Sequence, residues 1–253
     1  MNFAFSRRGC KVALAFLLLV LSAPLVKAAD QALTPQQKPA IDQMIHDYLM
    51  SHPDVVVDAL KAAQQKSDAE AAERARRVIA DMHQQLFDNP DDLIAGNPKG
   101  DATIVEFFDY RCPYCKQIEP TLDALLREDP KLRIVYKEFP VLGEPSVFAS
   151  HVALAARRQG KYEAFHRAMM AAKGNIDDDL VLSVAASVGL DLKKIKSDMK
   201  SPDIDRIIKA NYDAADALAV QGTPALIVGS TLIQGAVEID TLRENIATAR
   251  KGG

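Results

Sequence analysis

The chain has no tryptophan and only three cysteines in 253 residues. So few cysteines exclude a small disulfide-stapled scaffold, which depends on several bridges. Histidine is also scarce, with five residues. His46, His52, His83, His151 and His166 show no paired ligand spacing, and there is no second Cys-x-x-Cys. A structural zinc site needs about four ligands, so zinc is excluded, and each histidine is expected as an ordinary surface or core residue. Basic residues are not in excess: 31 Lys and Arg stand against 34 Asp and Glu. That balance argues against a nucleic-acid partner, which calls for a basic face. No internal repeat or low-complexity tract stands out.

The first stretch reads as a targeting segment. Arg7, Arg8 and Lys11 precede an apolar run from Val12 to Leu21, and Val26-Lys27-Ala28 offers a small-residue cleavage site. The run is roughly half of the about 20 apolar residues a membrane anchor needs, so residues 1–28 are expected to be a signal peptide. Cys10 precedes the apolar run, which is the wrong side for lipid attachment. The segment carries four basic residues and no acidic one, so its removal leaves a more acidic exported chain. It also leaves two cysteines, Cys112 and Cys115. A bridge between them closes too short a loop to add much stability, so the pair is better explained by chemistry.

Composition shifts near residue 90, and the expected division is a helical segment over 29–95 followed by an α/β domain over 96–253. Ile41, Met44, Ile45, Tyr48 and Leu49 recur at helical spacing. Ser51 with Pro53 reads as a second helix start, continued by Val55, Val56, Ala59 and Leu60. Lys61 to Arg77 is Ala-rich and charged with no large apolar residue, the pattern of a solvated spacer. An apolar segment held off by such a spacer has little of its own domain within reach, which favours self-association. Asn89-Pro90 and Gly96-Asn97-Pro98 then break the chain. Beyond Gly100, a strand at 103–108 runs into a helix reaching Arg127. A second strand spans 133–138, a helical block covers about 140–220, a hairpin turns at Gly229-Ser230, and a helix closes the chain over 238–250.

Cys112-Pro113-Tyr114-Cys115 lies where the first strand passes into its helix. There Cys112 meets the free N–H groups and positive dipole end of the helix, which favour a thiolate. Pro113 suits the first helical turn, where its missing N–H costs nothing. Cys115, one turn further in, can attack the mixed disulfide that Cys112 forms and release the substrate. Cys112 is therefore expected as nucleophile and Cys115 as resolving thiol, with no cofactor required. Glu106 stands in an otherwise apolar strand. Pattern alone leaves two readings open: a solvent-facing glutamate, or a buried carboxylate that relays a proton to Cys115. Thr223-Pro224, read alone, is a turn before the hairpin.

Together these pieces resemble the DsbA family of periplasmic disulfide oxidoreductases over roughly Lys99 to Arg250, through Phe107-Phe108-Asp109-Tyr110-Arg111 and the CPYC motif. The resemblance implies a thioredoxin fold with a helical insertion, preceded here by an N-terminal helical oligomerisation stalk. It also implies that Glu106 is functional, that Pro224 is cis and faces substrate beside Thr223, and that the residues between the thiols, Pro113 and Tyr114, tune the potential. The Thr before that proline and the helical extension look most like the ScsC (suppressor of copper sensitivity C) group. That likeness implies a trimeric periplasmic disulfide isomerase acting on misoxidised exported proteins and kept reduced by a membrane thiol reductase of the DsbD or ScsB kind. Two other readings stand beside it: a dithiol oxidase that donates its disulfide, and a copper-tolerance protein holding Cu(I) between the two thiolates.

Overall fold

The computed structural model describes residues 34, 35 and 37–252; the expected signal peptide lies outside the described residues. The chain divides into two compact units between Ala59 and Leu60.

The first unit contains helix α1 (Lys38–Ser51) and the opening of α2 (Pro53–Asp81). Pro53 causes the break between them. It disfavours helical geometry at the residue before it, and His52 sits at φ −132°, ψ 66°. The Ser51 hydroxyl donates to the Asp47 and Tyr48 carbonyls and closes the last turn of α1. No residue of α1 is buried. Met44, Ile45, Tyr48, Leu49, Met50, Val55, Val56 and Val57 are 36–71% exposed.

In the second unit α2 continues as a solvated rod in which only Ala75 and Ile79 are buried. Lys66–Glu70 and Glu73–Arg77 pairs line it, each contributing only a few tenths of a kcal/mol. There follow α3 (His83–Phe87), β1 (Leu93–Gly96), β2 (Ala102–Phe108), α4 (Pro113–Glu128) and β3 (Leu132–Glu138). The helical block is α5 (Glu144–Arg157), α6 (Tyr162–Ala171), α7 (Asp178–Ser187), α8 (Leu192–Asp198) and α9 (Pro202–Ala217). The hairpin β4 (Ala225–Val228) and β5 (Thr231–Gln234), then α10 (Ile239–Ala249), complete the fold.

The sheet order is β1-β3-β2-β4-β5, with β2 and β3 parallel and the remaining pairs antiparallel. One expectation is corrected: the helical segment does not run to residue 95, because Leu93–Gly96 pairs with Arg133–Tyr136 as an edge strand. Four residues between turn formers carry too little alternation to announce a strand. Gly96 closes it at φ +76°, where an added Cβ would come 2.6 Å from the Leu132 carbonyl oxygen, so only glycine fits.

Period-two alternation sorts β2 into two cores. Ala102, Ile104 and Phe108 join the core that includes α4, α5 and α6. Val105 and Phe107 join the core formed with Ile79, Leu86, Phe87, Ala214 and Leu218. Glu106 has the parity of the first set and lies beneath α4. On β3, Lys137 is fully buried and donates to the Gln85 carbonyl at 2.5 Å and to the Asp92 carboxylate. Burial pushes the Asp92 carboxyl up to about 6 against the opposing pull of Lys137. This pair fastens the chain between α3 and β1 to the sheet. Removing one partner strands a buried charge, a loss of about 3–5 kcal/mol. Asp92→Ala is thus expected to lower the urea midpoint by that amount of stability, and Asp92→Leu with Lys137→Met to recover most of it. Equal losses in the single and double variants would show that the charges are not what matters there.

Candidate active site

β2 ends at Phe108, and three residues turn the chain into α4. The Asp109 carboxylate, buried in this turn, accepts hydrogen bonds from Arg111 N at 2.7 Å, Leu142 N at 3.0 Å and the Ser146 hydroxyl at 2.8 Å. The Cys112 amide donates to the Asp109 carbonyl at 3.0 Å. Cys112 is thereby held as the N-cap of α4 with extended geometry, and Pro113 occupies the first turn. Tyr114 projects to solvent, 60% exposed, whereas both cysteines are buried free thiols. The Thr223-Pro224 peptide is cis. It delivers the Thr223 carbonyl oxygen to 3.1 Å from Cys112 Sγ, where the thiol donates to it.

The two thiols differ sharply in acidity. The Cys112 thiol is lowered to about 6, first by the hydrogen bond from the Cys115 thiol, with further help from the Thr223 side chain and the backbone N–H groups of Cys115 and Tyr114. Burial opposes the shift. The Thr223 carbonyl favours the protonated sulfur, but the donors outweigh it. Cys115 moves the other way: burial, its hydrogen bond with Cys112 and the charge of Glu106 all hold it as a thiol. At neutral pH one sulfur is a thiolate and the other a proton donor beside it.

Glu106 is fully buried, and neither carboxylate oxygen has a protein hydrogen-bond partner. Burial raises its carboxyl well above the usual carboxylate range, and the charges of Glu119 and Cys112 raise it further. The fold thus brings together Cys112, Pro113, Tyr114, Cys115, Glu106, Thr223 and Pro224, the residues singled out in the sequence. Glu106 takes the buried position of the two left open.

Sequence reasoning gave no part in the site to three more acids, and it expected His166 as an ordinary surface or core residue. Asp109 braces the turn. Glu119 sits four residues after Cys115 on the buried face of α4, beside Ile118 and Leu122, and helical spacing from Cys115 could have found it. Glu138 is buried and accepts from the Tyr110, Tyr162 and Ser150 hydroxyls at 3.0, 2.6 and 2.6 Å. His166 is a core residue, and its Nε2 lies 3.6 Å from Glu119. Among the described residues, no cluster of three or more His, Cys, Asp or Glu side chains is placed to hold a metal.

Two known families match this chain. The DSBA-like thioredoxin domain matches residues 103–247, and the copper resistance protein ScsC N-terminal domain matches residues 37–70. The chain belongs to the DsbA-like thioredoxin family. A thioredoxin-like oxidoreductase from Silicibacter pomeroyi is 44% identical with a TM-score of 0.66, covering 67% of this chain and 98% of that one. The catalytic domain of Proteus mirabilis ScsC is 26% identical with a TM-score of 0.64, covering 70% and 98%. A sodium–proton antiporter NhaA from Salinispora arenicola is 29% identical over 189 residues, and the match spans 72% of this chain but only 29% of the antiporter. The described residues contain no helix long and apolar enough to cross a membrane. The DsbA-like domain is a thiol-disulfide oxidoreductase domain, and its two sulfurs have the unequal acidity that exchange requires.

Cys112, lowered to about 6 from an ordinary 9.0, is stabilised as thiolate only in the folded state. That contribution is fully present above the unfolded value and is lost as pH falls through about 6. The reduced protein's stability advantage over Cys112→Ser is therefore expected to grow as pH rises from about 6 toward 9. Alkylation of Cys112 should reach half its maximal rate near pH 6 while Cys115 stays unlabelled. A half-maximal rate near 9 would contradict the donor geometry at the N-terminus of α4.

Proposed function

We propose that the chain is an exported, periplasmic disulfide isomerase and reductase, acting on misoxidised exported proteins and kept reduced by a membrane dithiol reductase. The observation that carries this reading is the pairing of a reactive CPYC site with an N-terminal unit whose apolar side chains are exposed. Apolar faces of that extent on a soluble chain mark an association surface, and the match to the ScsC N-terminal domain over 37–70 supports the same use. Several catalytic domains joined in a trimer would engage one non-native client at several points and raise the effective concentration of each thiolate.

In this reading the Cys112 thiolate attacks a non-native disulfide, and the cis-proline loop presents the Thr223 backbone to the client chain. A client thiol then resolves the mixed disulfide to give a new pairing, or Cys115 resolves it and releases a reduced client. Glu106 takes up the Cys115 proton in that second route.

A second reading, dithiol oxidase, draws support from the acidity of Cys112. A stable thiolate is a good leaving group and makes the Cys112–Cys115 disulfide more oxidising. The resting redox state separates the two. Cysteines found reduced in cells favour isomerisation, and cysteines found oxidised favour donation.

The first experiment is reactivation of a scrambled, multiply disulfide-bonded protein by the reduced full chain, beside a variant carrying Ile45→Asp and Val56→Asp. The wild type is expected to reactivate the substrate strongly. The variant should become monomeric by light scattering, keep its rate of small-disulfide reduction, and lose at least about ten-fold in reactivation, as loss of multivalent binding implies. Full reactivation by a monomeric variant would remove the N-terminal unit from the mechanism.

A further inference from the structure

Ala219 is the one residue other than glycine with a positive φ among the described residues, at +53°. A residue with a Cβ rarely adopts that conformation, and it persists only where the surroundings impose it. Ala219 follows the end of α9, where glycine is the usual left-handed cap. The helix end supplies part of the restraint. Ala219 N donates to the Asp216 carbonyl at 2.9 Å, and Val220 N donates to the Ala215 carbonyl at 2.8 Å. From Gln221 the backbone leaves the helix and joins no strand until Ala225 opens β4. The stretch from Gln221 to Pro224, which includes Thr223, must therefore be placed by other means.

The means is the side chain of Gln234, the last residue of β5. Its Oε1 accepts from Gln221 N at 3.3 Å, and its Nε2 donates to the Ala219 carbonyl at 3.1 Å. Only this orientation of the amide serves both partners, since an N–H needs an acceptor and a carbonyl a donor. One side chain thus does for the loop what a neighbouring strand would do. Gln234 also marks the far end of the stretch, because its backbone lies opposite Ala225 in the hairpin register. Next to it, Gly235 N donates to the Pro224 carbonyl at 2.8 Å. Gly222 and Thr223 form the short span between these fixed points. Gln234 is exposed, so core packing does not dictate which residue stands there.

We propose that Gln234 is a positioning residue for thiol–disulfide exchange, its side-chain amide fixing the loop that holds Thr223 against Cys112. Gln234 acts through Thr223 and hydrogen-bonds to neither sulfur. Thr223 sets its carbonyl oxygen 3.1 Å from Cys112 Sγ, and its side chain is among the groups that favour the thiolate. Hydrogen bonds weaken steeply with misalignment, so a loop free to swing would lose these contacts. The inference concerns the sulfur chemistry of the DsbA-like domain and holds for isomerase and oxidase alike. The other groups that face Cys112 come from elements Gln234 does not restrain. Cys115 belongs to α4 and Glu106 to β2. Arg111, beside Cys112 in the chain, donates to the Leu142 carbonyl.

The test is the rate of Cys112 alkylation by iodoacetamide in the reduced full chain. It is measured below the Cys112 value of about 6 and again near the ordinary thiol value of 9.0. Gln234→Met keeps the length of the side chain and removes both hydrogen bonds. It is expected to slow alkylation at the lower pH about three-fold or more, the effect of losing one hydrogen bond to the thiolate. At the higher pH the thiolate forms with or without the loop, and the rate should stay within about two-fold of wild type. Thr223→Val removes the hydroxyl and should show the same loss at the lower pH. The double variant should lose no more than Thr223→Val alone, because one residue acts through the other. Losses that multiply in the double variant place Gln234 on a separate route and overturn the proposal. An unchanged rate in Gln234→Met overturns it too, as does an equal loss at both pH values, which marks general damage to the site. Should Gln234→Met fail to fold, Gln234→Thr takes its place, a good strand former too short to reach the loop. A wild-type rate at the lower pH in that variant removes Gln234 from the site.

Discussion

The space between the N-terminus of α4 and the middle of β2 holds three acids, and it has the means to stabilise about one negative charge. Cys112, Cys115 and Glu106 are all buried, and each ionisation raises the cost of the next. The helix N-terminus favours Cys112, because its N–H groups and the Cys115 thiol point at that sulfur. Cys115 and Glu106 are therefore left neutral. One sulfur is ready to attack, and the other keeps the proton that must leave before it can attack in turn. The rest of the domain maintains this arrangement. β2 aims Glu106 upward, the Asp109 turn sets the first residue of α4, and the cis-proline loop closes the site from the hairpin side.

Much of this was legible in the sequence, because local rules suffice for it. A Cys-Pro-Tyr-Cys run between an apolar strand and a helix fixes which sulfur meets the helix N-terminus, with no long-range information. Strand alternation also carries the orientation of Glu106. Its parity with Ile104 and Phe108 places it on the α4 side, but only once it is known which side α4 covers, and that is a tertiary fact. The same limit hid β1, whose four residues become a strand by pairing with β3. It also hid Lys137, which reads as an exposed strand lysine until Asp92 and the Gln85 carbonyl are brought to it. His166 and Glu119 lie 47 positions apart in the numbering and meet across two helices. No spacing rule connects them.

The two units solve opposite problems. The catalytic domain hides its charges and needs routes for protons. The N-terminal unit shows its apolar side chains, and among its described residues none of α1 is buried. Hydrophobic surface left in water costs about 25 cal/mol per Å², so a second copy that covered these side chains would gain free energy the lone chain forgoes. The Ala-rich, charged stretch of α2 separates these roles. Its side chains satisfy one another along the helix and bury little, so it can link the units without adding to either core.

Acidity at Cys112 favours both attack and departure, so the sulfur chemistry alone does not choose a direction of electron flow. A thiolate near 6 attacks disulfides readily at neutral pH, and as a leaving group it makes the intramolecular disulfide easy to reduce. Direction then depends on how quickly Cys115 can lose its proton relative to how long a client stays attached. Fast proton loss ends each encounter in a reduced client and an oxidised enzyme. Slow proton loss leaves the mixed disulfide standing until a client thiol displaces Cys112, which is isomerisation. If Glu106 relays that proton as proposed, its burial without a partner would slow the transfer, and multivalent attachment through the N-terminal unit would lengthen the encounter. Both lean toward shuffling.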